Sequence, residues 1–332
     1  MKMWGRKLMG VLLAAVMLFE TMGLTMAAAP ATMADKLADV ERTAYGVPQT
    51  GALLDRVNKL EKDFEGTHAP NESVMQRVDN LYAAMFKNDA GPSLVTRMNA
   101  IEWGITQKVS MESIQKRVSD MEIAMTGAPS EGTYRARIDT LAGYAFGTKD
   151  VPLEKTQVPA NTLVKASLVT PVNAKNLKVG DRIEIKSEED VIENGRLLFA
   201  KGAPGYGEVT KVKQAGNFGR DAEVQIDFKA MRTMDGTDAA MVLGEAAKEK
   251  MQSMAFAAGA SVAGMVLLGP IGIIGGAFVK GKNVDLPEGT ELYIQTAEPM
   301  EIYGLATEAS GTTQAGETAT KASEATETPA AQ

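Results

Sequence analysis

The chain has 332 residues, room for about two domains at roughly 150 residues each. Its net charge of −7 offers no basic surplus for nucleic acid, and its lack of cysteine excludes disulfides, thiolate nucleophiles and thiolate metal sites. Aromatic residues make up only 5%, so the core is expected to be built from aliphatic residues and methionine.

The N-terminus has the layout of a secretion signal. Lys2, Arg6 and Lys7 precede an apolar run from Leu8 to Phe19, and small residues follow at Ala27, Ala28 and Ala29. The run is short for a spanning helix, which favours cleavage near residue 29 over a retained anchor. The mature protein is thus expected to be exported, periplasmic or outer-membrane-associated.

Residues 34–147 carry an internal repeat. Arg56, Arg77, Arg97, Arg117 and Arg137 recur every twenty residues, once twenty-one, and Lys36 holds the place in a weaker first unit. Three residues before each arginine stand Leu53, Val74, Leu94, Ile114 and Tyr134. Apolar residues also recur one, four and eight positions after it, as in Val57, Leu60 and Phe64. These offsets share one face of a helix. Ser73, Ser93, Ser113 and Thr133 stand where helix N-caps belong, and Gly46, Gly66, Gly127 and Gly147 where helices stop. Each unit is predicted to be one helix of three to four turns. Such a helix is marginal alone, so the apolar faces must stack into a small solenoid or bundle, or associate between chains.

Glu41, Glu61, Glu102 and Glu122 lie five residues after the basic position, off the favoured intrahelical spacing. An arginine of one unit is therefore set to pair with a glutamate of the next. The arginine row supports two readings: a structural ion-pair ladder, or a binding row for peptidoglycan or another anionic envelope polymer. His68 reads as an exposed loop residue.

From residue 152 to 303 the pattern becomes β-rich and antiparallel, a barrel or sandwich of about seven strands. Strands are expected at 162–170, 182–186, 191–199 with a hairpin at Asn194-Gly195, 208–213, 222–229, 239–243 and 291–296. Pro159-Ala-Asn-Thr162 and Pro287-Glu-Gly-Thr290 are alike, so the strands they open are candidates to pair and close a barrel. Lys201–Gly207 is glycine-rich without a phosphate-loop signature and reads as a turn; Glu188-Glu189-Asp190 reads as a solvated turn.

Within this domain Met251–Val279 has no charge, is rich in Gly and Ala, and is broken at Gly269-Pro270. That pattern predicts an inserted helical hairpin. Ala255, Gly259 and Ala263, then Gly272 and Gly276, recur every four residues and suit close packing against a membrane, another copy or the chain's own barrel. Residues 304–332 are Ala, Thr, Ser and Glu with almost no bulky apolar side chain, so a disordered tail is expected.

Two resemblances follow from these residues. The repeats, with Arg56-Val57 and Leu60-Glu61, resemble the R-V-x-x-L-E repeats of envelope proteins in diderm Firmicutes. The run from Pro159 through Asp181-Arg182, Asn194-Gly195, Lys201-Gly202 and Leu286-Pro287 resembles a domain of exported bacterial proteins. It also resembles the barrel of TrbI-like scaffolds in the outer-membrane core of type IV secretion systems. It departs from the latter at Asn161 and Ala200 and lacks that family's inner-membrane anchor and proline-rich arm. The resemblance therefore implies an architecture, not a secretion role.

The expected fold is α+β: a short-helix repeat array, then an antiparallel barrel with an apolar helical hairpin. No motif for a catalytic residue, metal or cofactor stands out. The expected function is a non-enzymatic envelope scaffold or tether. Alternatives are glycan or peptidoglycan binding through the arginines, or an oligomeric outer-membrane pore or assembly component.

Overall fold

The computed structural model describes residues 32–216, 221–257, 276–281 and 284–307. The predicted secretion signal, the bulk of the tail and the centre of the apolar hairpin lie outside these residues.

Each predicted repeat is a thirteen-residue helix: α1 (Met33–Tyr45), α2 (Leu53–Glu65), α3 (Val74–Phe86), α4 (Leu94–Thr106), α5 (Ile114–Thr126) and α6 (Tyr134–Phe146). The caps explain the common length. Ser73, Ser93, Ser113 and Thr133 each accept the backbone N–H three residues on. Gly46, Gly66, Gly127 and Gly147 end their helices in the left-handed conformation that glycine tolerates best. Gln107 takes the same conformation after α4 without glycine's freedom, whereas Lys87 leaves α3 extended.

The apolar offsets converge in one core containing Leu37, Val57, Leu60, Val78, Met98, Ile101, Val118, Ile138 and Leu141. Met125 departs from the pattern and is exposed. Helix α1 packs on α3 and α5, and α2 on α3 and α6, so the array closes into a six-helix bundle instead of extending as an open solenoid.

The second half contains β1 (Leu153–Val158), β2 (Leu163–Leu168), β3 (Val172–Asn173), β4 (Arg182–Ser187), β5 (Val191–Glu193), β6 (Arg196–Phe199), β7 (Pro204–Lys213), β8 (Ala222–Arg232) and β9 (Asp238–Val242). Helix α7 (Glu245–Ala257), β10 (Gly276–Gly281), β11 (Asp285–Leu286), β12 (Glu291–Thr296) and β13 (Met300–Ala306) complete the described chain. Strands β2, β4, β7, β8, β9 and β12 close into a six-stranded antiparallel barrel, and β10 lies beside β8.

As the paired turns suggested, β2 and β12, the first and last barrel strands, are neighbours. The likeness extends to atoms. Thr162 Oγ1 donates to the Pro159 carbonyl at 3.0 Å, and Thr290 Oγ1 to the Pro287 carbonyl at 2.7 Å. Asn161 and Gly289 take positive φ at the same place in each turn.

A separate four-stranded sheet, in the order β1-β13-β6-β5, covers one side of the barrel. Val158, Leu198, Phe199 and Ile302 join the barrel core, while Leu197 and Leu305 face the other way and meet Ala100 of α4. The layers are barrel, sheet and helix bundle.

Four boundaries differ from the sequence reading. Strands β1 and β13 were not anticipated, and β13 carries the folded domain through Ala306, with Leu305 fully buried. Gly205 and Gly207 lie in β7, not in a turn. A Cβ there would come within 2.7 Å of the Ala230 carbonyl and 2.8 Å of Ile226, so glycine lets β7 approach β8. Helix α7 starts at Glu245, before the uncharged run. Gly276–Val279 is not a helical arm but part of β10, paired with Asp227 to Val224 of β8.

Candidate functional site

The arginine row and the root of the uncharged insert occupy the places to which the sequence assigned function; the bundle–barrel junction is a third feature, which the sequence reading did not single out.

The arginine row forms a ladder inside the bundle. Arg56 pairs with Glu41, Arg77 with Glu61, Arg117 with Glu102 and Arg137 with Glu122, at 2.6–2.7 Å. The direction is opposite to that expected: each arginine reaches the glutamate of the preceding unit. The chain turns back after each helix, which brings the first turn of the next helix against the second half of the last.

Each glutamate also accepts a backbone N–H eight residues on, from Gln49, Ala69, Ser110 or Ser130. One buried carboxylate thus fixes both the link and the following helix. Arg77 and Arg117 donate further to Asn58 and Asn99, two residues after the basic position of the preceding unit. Arg97 lacks a rung because Tyr82 stands in the preceding unit at the place of Glu41, Glu61, Glu102 and Glu122; it pairs with Asp139 at 2.8 Å.

Burial opposes the Glu61 and Glu122 carboxylates. The hydrogen bonds and charges of Arg77 and Arg137, with the Ala69 and Ser130 N–H groups, outweigh it and hold both pKa values below the usual range. At Arg117 burial dominates over Glu102 and lowers the guanidinium pKa.

The junction centres on Asp235, which is 4% exposed. Its Oδ1 accepts from Thr233 Oγ1 and the Thr237 N–H, closing the β8–β9 turn. Its Oδ2 accepts from Asn88 Nδ2 and the Tyr303 N–H. Thr96 Oγ1 donates to the Asp235 carbonyl at 2.7 Å, and Asn99 Nδ2 to the Met234 carbonyl at 3.1 Å. At Gly236, positive φ and the Val95 side chain, 3.0 Å from where a Cβ would lie, both favour glycine.

Nearby, Trp103 Nε1 donates to Asp190 Oδ2 at 2.9 Å, while Asp190 Oδ1 accepts the Lys201 N–H at 2.6 Å. The acidic cluster is therefore not simply a solvated turn. Asn99 links the constructions, since it also accepts from Arg117. The sequence carried a signal for this junction: Ala100 and Trp103 stand where α2 has Lys59 and Lys62.

The insert is rooted in the barrel at both ends. Ala247 and Met251 of α7 are buried in the barrel core. The Ala247 N–H donates to Gln295 Oε1 at 2.9 Å, and Gln295 Nε2 donates to Asn161 Oδ1 at 2.5 Å. A Cβ on Gly244 would lie 2.3 Å from the amide end of Gln295, so a larger residue would push that side chain off Ala247 and Asn161. At the other end β10 is hydrogen-bonded along β8. Ala255 belongs to α7 and Gly276 opens β10; Gly259, Ala263 and Gly272 lie outside the described residues.

Among the described residues, no helix is long and apolar enough to cross a membrane, and no cluster of three or more His, Asp or Glu converges as metal ligands. No family model and no curated protein matches the chain. Matching solved structures include ComB10 of the Com type IV secretion system of Helicobacter pylori. It is 14% identical over 43% of this chain and 88% of that chain, with a TM-score of 0.24, a likeness too slight to assign a role.

Proposed function

We propose that this chain is a non-enzymatic scaffold of the cell envelope, in which the barrel presents the uncharged insert to a membrane or to further copies and the helix bundle is a firmly attached arm. The observation that carries this reading is the double rooting of the insert. Residues 258–275 contain no charged side chain, and both flanks are built into one barrel, through α7 against β12 and β10 against β8. An uncharged, apolar stretch of this length needs cover, by lipid or by protein. The signal-like N-terminus supports an envelope location.

Glycan or peptidoglycan capture through the arginines has less support, because four of the five pair with glutamates of the bundle and Arg77 and Arg117 are buried. A pore through this barrel also lacks support: Val164, Ile183, Val209, Ile226 and Ile294 pack in its core. A channel would have to come from several inserts together.

The test is fractionation of cells expressing the full chain and a variant with residues 258–275 replaced by a Gly/Ser linker. That deletion spares Met251 and β10, which the fold uses. The full chain should co-fractionate with membranes or as a larger assembly, and the variant should be released. Identical behaviour of the two proteins as free monomers would refute the proposal.

A further inference from the structure

The bundle contains a second, longer repeat. The ladder pairs Glu41–Arg56 and Glu102–Arg117 correspond with an offset of 61 residues, as do Glu61 and Glu122. Arg77 and Arg137 follow with an offset of 60. A closing pair repeats too: Lys36 reaches from α1 to Asp79 of α3, and Arg97 from α4 to Asp139 of α6. Each set of three helices is thus linked first to second, second to third, and third back to first.

The missing rung falls between the sets. Tyr82 occupies its glutamate place, and Arg97 is instead engaged in closing its own triplet. The sets meet through apolar side chains, the Phe64–Tyr134 ring pair and an exposed Glu65–Arg135 ion pair. The connection between them is also unlike the others, since Lys87 leaves α3 extended where the other five helices end left-handed. Thr96, Asn99 and Trp103, all on α4, tie the second triplet to the barrel. Asn88, just past Lys87, is held by Asp235 and so belongs with the second triplet.

We propose that α1–α3 and α4–α6 are tandem copies of one three-helix unit, and that α1–α3 opens as a body from α4–α6, which remains docked on the barrel, with Lys87 at the hinge. Opening would break no ladder pair and would expose the apolar seam on α5 and α6; once undocked, α1–α3 loses the cover of its own apolar face and its amides exchange through unfolding of that unit alone. This device stands independently of the envelope assignment.

Native-state hydrogen exchange on the full chain in low denaturant tests it. Amides of α1–α3 should exchange together, at least about tenfold faster than those of α4–α6. One common protection across all six helices would overturn the proposal. A second measurement uses the chain's lack of cysteine. A Cβ at residue 46 would lie 3.8 Å from Ser113 Cβ, a separation suited to a disulfide across the seam. In the double variant Gly46→Cys, Ser113→Cys, oxidation should slow α1–α3 exchange to the rate of α4–α6. The reduced form of the same variant controls for strain at Gly46 and for the lost α5 cap. Exchange unaffected by oxidation would overturn the hinge.

Discussion

Replacing Arg117 with methionine removes one cation from a buried rung while keeping the aliphatic stem. Arg117 and Glu102 are each 6% exposed. Without Arg117, Glu102 keeps only the Ser110 N–H among the donors shown for its carboxylate, and Asn99 Oδ1 loses the Arg117 bond. Removing one member of a buried ion pair costs about 3–5 kcal/mol, and the lost Asn99 bond about 1 kcal/mol, partly overlapping with it. A domain is stable by only about 5–15 kcal/mol, so the variant should lose a large share of the bundle's stability. Urea denaturation followed by far-UV circular dichroism measures this. The double variant Arg117→Met, Glu102→Leu removes both charges and should recover most of the loss. Lys116→Ala breaks an exposed i,i+4 pair with Asp120 and should leave the midpoint in place. A loss under about 1 kcal/mol for Arg117→Met, or no recovery in the double variant, would refute the view that the ladder holds the bundle in register.

Three further outcomes follow from the geometry. Gly244→Ala forces a methyl group against buried Gln295 and should destabilise the barrel by about 1–3 kcal/mol; a wild-type melting temperature would reject that packing. Asp190→Ala removes the acceptor of the Trp103 indole and should alter its fluorescence as the junction admits water, whereas an unchanged spectrum would place Trp103 outside the contact. In acid, the depressed Glu61 and Glu122 pKa values mean that ladder stability is present above the unfolded carboxylate value of about 4.3 and is lost as pH falls through the folded values. Helical signal should therefore become easier to melt below about pH 4, and equal stability at pH 2 and pH 7 would contradict the assignment.

The helices were legible because propensity, caps and burial agree within each repeat. Ser113 caps, Val118 and Met121 are buried, and Gly127 stops the same helix. The barrel closure was legible because two similar turns, at Pro159 and Pro287, place a threonine in the same bond. Long-range partners were not legible. Leu153–Val158 carries Glu154 and Lys155 and lacks a clean alternation, so its pairing with β13 depends on a strand more than 140 residues away. Gly276–Val279 has the small-residue spacing of a packed helix, yet the edge of β8 imposes a strand. The junction was hidden for a related reason. A repeat describes what its units share, while Thr96, Ala100 and Trp103 matter where α4 departs from that pattern. Asp235 carries no local signal of its role, because its partners come from α4, the loop before it and β13.

In the proposed scaffold the barrel offers residues 258–275 as a contact element to lipid or to further copies. Flotation of the purified mature chain with vesicles of phosphatidylethanolamine and phosphatidylglycerol, with sedimentation velocity on the same samples, tests it most directly. The full chain should float with the vesicles or sediment as an assembly, and the variant lacking 258–275 should remain a free monomer with an intact barrel. If the full chain is itself a free monomer under both conditions, the insert covers its own barrel and the scaffold account is contradicted.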